Sequence, residues 1–148
     1  MKIQRLRPEF LEYMPESLEE GVLYISERYR LCSHKCCCGC GEEVVTPLSP
    51  AGWRLTREGE SVSLWPSVGN WDYACRSHYV IRRNAVIESR PMTEQQIAGV
   101  QRGDALALSR MVSLNNAEKD RLEASNAQPA VVTVGVSENL CKLTRWAT

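Results

Sequence analysis

Apolar residues come in short bursts over the first part of this chain and take on helical spacing only after Arg90-Pro91. Phe10 to Tyr13 is a short apolar run, Pro15 to Gly21 reads as a turn, and Val22-Leu23-Tyr24-Ile25 is a second run, so the pattern predicts a β-hairpin. Val44-Val45, Trp53 to Thr56 and Val62 to Trp65 follow as short strands between proline and glycine breaks. His78 to Glu88 predicts one more strand, or a hairpin about Asn84. Residues 32 to 41 hold two glycines, no periodicity and most of the cysteines, which predicts a loop shaped by something other than packing.

Beyond Pro91, Thr93 is a good N-cap with Gln96 three residues on, and Ile97, Val100, Leu106, Leu108 and Met111 supply apolar positions. The spacing predicts a helix broken near Gly103, a second short helix capped by Asn115 or Asn116 and running through Leu122, and a closing strand over Val131 to Val136. The class expected is α+β: a β-rich core over residues 1–90 and a helical extension over 91–148, both in one domain.

At 148 residues the chain suits one ordinary core. Its 18 basic and 18 acidic residues cancel, and no basic stripe with interleaved aromatics is present, so nucleic acid is not an expected partner. The stretch after Met1 is charged without a following apolar segment, and no run is long enough to cross a bilayer. A cytoplasmic protein that makes no membrane contact is expected.

The cysteines change the picture most. There are seven, and five fall between Cys32 and Cys40, too close for most to pair as disulfides. Cytosolic thiols stay reduced, so metal binding explains them better. Cys36, Cys38 and Cys40 alternate through a loop relaxed by Gly39 and Gly41, and Cys75 and His78 form a second cluster further on. Zinc accepts thiolate and imidazole in tetrahedral geometry, so it is the metal expected. Cys37 is read as a spare thiol pointing away, and Cys32 and Cys141 as small buried hydrophobes.

Two ligand sets remain open on spacing: four cysteines, leaving His34, Ser77 and His78 free, or a histidine in place of one thiolate. In the first, an extended Cys75-to-His78 segment would put Cys75 and Ser77 on one side and His78 on the other, with Ser77 beside the loop that carries His34. A serine near a histidine is the minimum of a nucleophile with its base, although such neighbours are commonly a capped turn or a ligand. Trp65 and Trp71 flank the Gly69-Asn70 turn and could wall a substrate groove or simply pack over the sheet. Glu42 and Glu43 could serve a metal-bound water as base, or be solvated charges.

His34, Cys36, Cys38-Gly39-Cys40-Gly41, Glu43-Val44-Val45-Thr46-Pro47-Leu48, Trp53-Arg54-Leu55, Ser63-Leu64, Pro66-Ser67-Val68-Gly69-Asn70-Trp71 and Cys75-Arg76-Ser77-His78-Tyr79, in that order, resemble an uncharacterised bacterial zinc-binding family. Its members are found in operons beside ubiquitin-like, ubiquitin-activating-like and conjugating-like proteins. The resemblance covers about residues 10 to 88; Cys37 departs from it, standing where the family pattern often has proline. It implies a deconjugating or processing peptidase acting on the ubiquitin-like protein. In that reading Ser77 is the nucleophile, His34 or His78 the base, Cys36, Cys38, Cys40 and Cys75 the zinc ligands, and Trp65, Asn70 and Trp71 the substrate groove. A zinc-stabilised adaptor for the modifier or its activating or conjugating enzymes, and a zinc metallopeptidase with Glu43 as base, are the alternatives.

Overall fold

A computed structural model describes residues 1–127 and shows eight strands followed by one helix. Strands β1 (Arg7–Phe10), β2 (Val22–Ser26), β3 (Leu31–Lys35) and β4 (Glu43–Pro47) make one sheet in that order. Strands β5 (Arg54–Glu58), β6 (Ser61–Gly69), β7 (His78–Arg82) and β8 (Ala85–Glu88) make the second, also in sequence order. The helix α1 runs over Glu94–Asn126. The class is α+β, as the sequence pattern leads one to expect.

Period-two burial positions both sheets. On β6, Val62, Leu64 and Val68 are buried, and on β7 Tyr79 and Ile81 are, so these side chains face inward. They meet Leu23, Ile25, Cys32 and Val44 of the first sheet in one hydrophobic cluster. Burying an aliphatic side chain of this kind contributes about 1.5–3 kcal/mol. The outer face of the second sheet therefore carries Ser63, Ser67, Gly69 and His78.

Four expectations are corrected. β1 and β2 pair in parallel, Arg7 opposite Val22, so they form no hairpin, and the first strand lies earlier than Phe10 to Tyr13. The segment before them crosses from sheet to sheet: Arg5 bridges Ala85, and the Val86 amide donates to the Gln4 carbonyl at 2.9 Å. Residues 31–35 are a strand, with Cys32 and His34 fully buried, and the cysteine loop begins only at Cys36. The helix is continuous through Gly103 and Asn115-Asn116. Each glycine costs about 1 kcal/mol in a helix interior, which the surrounding Ala, Leu, Arg, Gln and Glu absorb.

Other features match. Thr93 and Gln96 form a reciprocal capping box, with Thr93 N donating to Gln96 Oε1 at 2.9 Å and Gln96 N to Thr93 Oγ1 at 3.2 Å. β7 and β8 turn through Arg83 and Asn84, both at positive φ (47° and 68°), the conformation favoured in two-residue hairpins. Met1–Leu114 forms one compact unit, and the described residues from Asn115 onward continue the helix. The expected strand at Val131 to Val136 and Cys141 lie outside the described residues. Among these, no helix is long and apolar enough to cross a membrane.

Candidate metal centre and serine–histidine pair

The four cysteines come from the tips of two hairpins, one in each sheet. β3 and β4 pair up to Lys35 and Glu43, and the Cys36 amide closes on the Glu42 carbonyl at 2.8 Å, leaving Cys36, Cys38 and Cys40 in the tip. Gly39 and Gly41 adopt φ of 90° and 88°, a left-handed backbone that folds the alternating sulfurs toward one point. Cys75 lies in the loop between β6 and β7, closed by the Asn70 amide on the Ser77 carbonyl at 2.9 Å. Tyr73 Oη ties the tips together by donating to the Glu43 carbonyl at 2.5 Å.

The four Sγ atoms lie within 4.8 Å of one another. A tetrahedron of metal–sulfur bonds of about 2.3 Å has edges of about 3.8 Å. The Cys36–Cys38 and Cys36–Cys75 separations, 3.4 and 3.9 Å, bracket that edge. The donor set therefore fits one ion with four sulfurs, and this cluster could hold a metal. Burial raises the Cys75 thiol, but hydrogen bonding with the Ser77 side chain and backbone, and with Cys38 and Cys40, outweighs it and holds the group at about 7. Cys37 sits between the ligands but is fully buried, and burial pushes it up to about 12. Cys32, buried in β3, is raised to about 12 for the same reason.

The two histidines occupy different environments. His34 is on the inner face of β3, fully buried, with Nε2 2.7 Å from Tyr79 Oη and Nδ1 without a partner among the described residues. Desolvation lowers its pKa to about 4, so it stays neutral. Ser77 is also on the inner side, 6 % exposed. It takes a hydrogen bond from Asn70 Nδ2 at 2.9 Å and lies 3.1 Å from Cys36 Sγ and 3.5 Å from Cys75 Sγ. Neither histidine is within hydrogen-bond distance of it; its neighbours are sulfur and amide.

His78, one residue on, faces the other way and meets a different serine. Its Nε2 is 2.9 Å from Ser67 Oγ, and its Nδ1 is 3.1 Å from the Arg90 carbonyl oxygen. That carbonyl can only accept, so Nδ1 carries the hydrogen; in the neutral ring Nε2 is then a bare lone pair that accepts from the Ser67 hydroxyl. Three residues of β6, Trp65 to Ser67, stand opposite Val80 alone between the pairs Leu64–Ile81 and Val68–Tyr79. This bulge places Ser67 diagonally across from His78 on the outer face. Trp53 Nε1 donates to the Ser67 carbonyl at 3.4 Å.

Trp71 packs its ring 4.9 Å from the His78 ring, tilted by 58°, and lies directly over Gly69. Asn70 is buried in the hydrogen-bond network around Ser77, and Trp65 projects from the bulge, 61 % exposed. Of the three expected groove residues, only Trp71 touches the pair. Ser67 was legible as part of a proline–glycine turn segment but not as a partner of His78, because the bulge that sets their register leaves no mark in hydrophobic periodicity. Glu43 is exposed and pairs with Lys35 Nζ at 3.3 Å.

Neither curated proteins nor solved structures give a match. Residues 10–88, which hold both cysteine-bearing tips, the Ser67–His78 pair and seven complete strands, match the model of the family described as bacterial ubiquitination-like system serine protease (BubE). That span is more than half of the chain, and the protein belongs to this family.

Proposed function

We propose that the chain is a deconjugating or processing peptidase for the ubiquitin-like protein of its system, with Ser67 as nucleophile and His78 as general base. The observation that carries this reading is the Ser67 Oγ–His78 Nε2 contact of 2.9 Å, with Nδ1 anchored on the Arg90 carbonyl. A serine hydroxyl is a weak nucleophile until a neighbouring base takes its proton. As Oγ attacks the scissile carbonyl, His78 Nε2 accepts that proton and then returns it to the leaving amine. The Arg90 carbonyl does part of what a carboxylate does in a serine–histidine–aspartate triad: it fixes the tautomer and the ring plane, and its dipole favours the transient imidazolium. Trp71 covers one side of the imidazole and limits its contact with water.

Four sulfurs around one ion make a closed set, the pattern of structural zinc sites, and zinc is the ion that such a set favours. Zinc there would supply folding energy and hold the two tips together. A metallopeptidase would need a ligand position free for water, and Glu43, paired with Lys35, does not offer a base beside the cluster. A pure adaptor would leave the oriented serine–histidine pair without a role.

The test is a fusion of the operon's ubiquitin-like protein to a reporter, incubated with wild type, Ser67→Ala and His78→Ala, each checked for folding and metal content. Wild type cleaves, and both variants lose ~10²–10⁴ in rate. A fluorophosphonate probe followed by peptide mapping puts the adduct on Ser67. An adduct on Ser77, or full cleavage by folded Ser67→Ala protein, would overturn the assignment.

A further inference from the structure

Ser77 and Asn70 are buried polar residues that the proposed chemistry does not use, and both point at sulfur. Cys36 is the one fully buried member of the four-cysteine set, whereas Cys40 is exposed and Cys38 and Cys75 are half-buried. A thiolate removed from water needs hydrogen-bond donors. Two side-chain donors surround Cys36 Sγ among the described residues: Ser77 Oγ at 3.1 Å and Asn70 Nδ2 at 3.5 Å. Cys38 is served differently, by the backbone amide of Cys40 at 3.3 Å.

The directions of these bonds follow from the chemistry. Asn70 Nδ2 donates to Ser77 Oγ at 2.9 Å, which occupies a hydroxyl lone pair and leaves the one Ser77 proton for sulfur; Cys36 Sγ at 3.1 Å is closer than Cys75 Sγ at 3.5 Å and takes it once both sulfurs are on the metal. A sulfur bound to a metal has lost its proton and can only accept. We infer that Ser77 and Asn70 are positioning residues for the metal: their hydroxyl and carboxamide donate to the Cys36 thiolate, damp its charge and hold it in the ligand set. Tyr79 Oη, 3.5 Å from Asn70 Nδ2 and 2.7 Å from His34 Nε2, backs the carboxamide from the core side.

Ser77 immediately precedes His78, and the Asn70 amide closes on the Ser77 carbonyl at 2.9 Å beside the Gly69–His78 pair. The donors to the buried sulfur and the proposed base therefore share one stretch of backbone. Outer partners of metal ligands typically account for 10–100-fold in metal affinity.

The inference rests on the metal reading above and is independent of Ser67. Full-length wild type, Ser77→Ala and Ser77→Thr are loaded with Co(II), and the sulfur-to-cobalt charge-transfer bands and the rate of metal transfer to a chromophoric chelator are recorded. Wild type takes up one ion per chain. Ser77→Ala shifts the charge-transfer band to lower energy and releases metal ~10–100-fold faster, and Ser77→Thr, which restores the hydroxyl, returns both toward wild type. An unchanged band and release rate in metal-loaded Ser77→Ala overturn the inference while leaving the metal reading intact; no uptake by wild type overturns both. If Ser77→Ala does not fold, ¹¹³Cd-loaded wild type decides, since a cadmium–proton coupling to the Ser77 hydroxyl or the Asn70 carboxamide is expected, and the absence of both refutes the donation.

Discussion

Adding one methyl group at Gly69 tests how closely Trp71 and His78 are joined. A Cβ there would lie 2.4 Å from Trp71 Cε2 and Cζ2 and 2.7 Å from Nε1. Carbon atoms at rest stand about 3.5–4.0 Å apart, so the indole must withdraw by about 1 Å or more. Gly69 is not at positive φ, and alanine fits its strand backbone, so steric overlap is the cost. Overpacking of this kind costs about 1–3 kcal/mol. The withdrawn indole is the one packed against His78, and a shift of about 1 Å in a catalytic group can cost about 10²-fold in rate. The assay pairs urea unfolding with cleavage kinetics for Gly69→Ala, Trp71→Ala and the double variant. Gly69→Ala is expected to lose stability and turnover in wild type but to be within about 0.5 kcal/mol of neutral when Trp71 is already alanine. Equal effects in both backgrounds would show that the indole does not bear on Gly69, and the steric argument would fall.

Two further outcomes are expected. His34 is held neutral with its pKa near 4 by burial, against an ordinary value of 6.5. Between these values the unfolded chain binds more protons than the folded one, so stability is full above about pH 6.5 and is lost as pH falls toward 4, by up to about 3 kcal/mol. Urea unfolding of wild type and His34→Gln from pH 7 to 4.5 should converge as pH falls, and a constant difference would contradict this. Thr93→Ala removes the side-chain half of the capping box and should cost about 1 kcal/mol of helix stability, seen as a lower melting temperature of the 222 nm signal.

Most strands could be read from apolar runs or alternation because their buried residues are apolar: Val22 to Ile25 as a continuous run, Val44, and Val62 and Leu64 in alternation. β3 could not, because beside Cys32 its other buried residues are Ser33 and His34, which read as polar and break the apolar pattern. The parallel pairing of β1 with β2 was hidden for another reason: periodicity identifies a strand but not the direction of its neighbour. The helix runs on through Gly103 and Asn115 because the many good helix formers along its length outweigh the local preference of those two residues for a break. In the candidate site, the cysteine cluster was legible from spacing alone, since few other arrangements use four thiols in that way. Ser77 and His78 do face opposite ways, although the extended Cys75-to-His78 segment expected is not present: Cys75 lies in a turn, Arg76 is at φ 47°, and the strand begins only at His78. What each side chain would meet depended on the β6 bulge and on the folding of two distant tips onto each other.

Those tips have a topological consequence. Cys36 and Cys75 stand 39 positions apart and belong to sheets that share no strand. An ion joining them would turn the intervening chain into a closed ring containing β4, β5 and β6. A permanent link across a ring of that length removes about 4 kcal/mol of conformational entropy from the unfolded chain. Ser67 lies inside the ring, while His78 lies just beyond its clasp. The distance between them is nevertheless set by the β6–β7 pairing, Val68 opposite Tyr79 and Gly69 opposite His78, so opening the ring would release the two tips from each other and leave the serine and histidine together until those strands part.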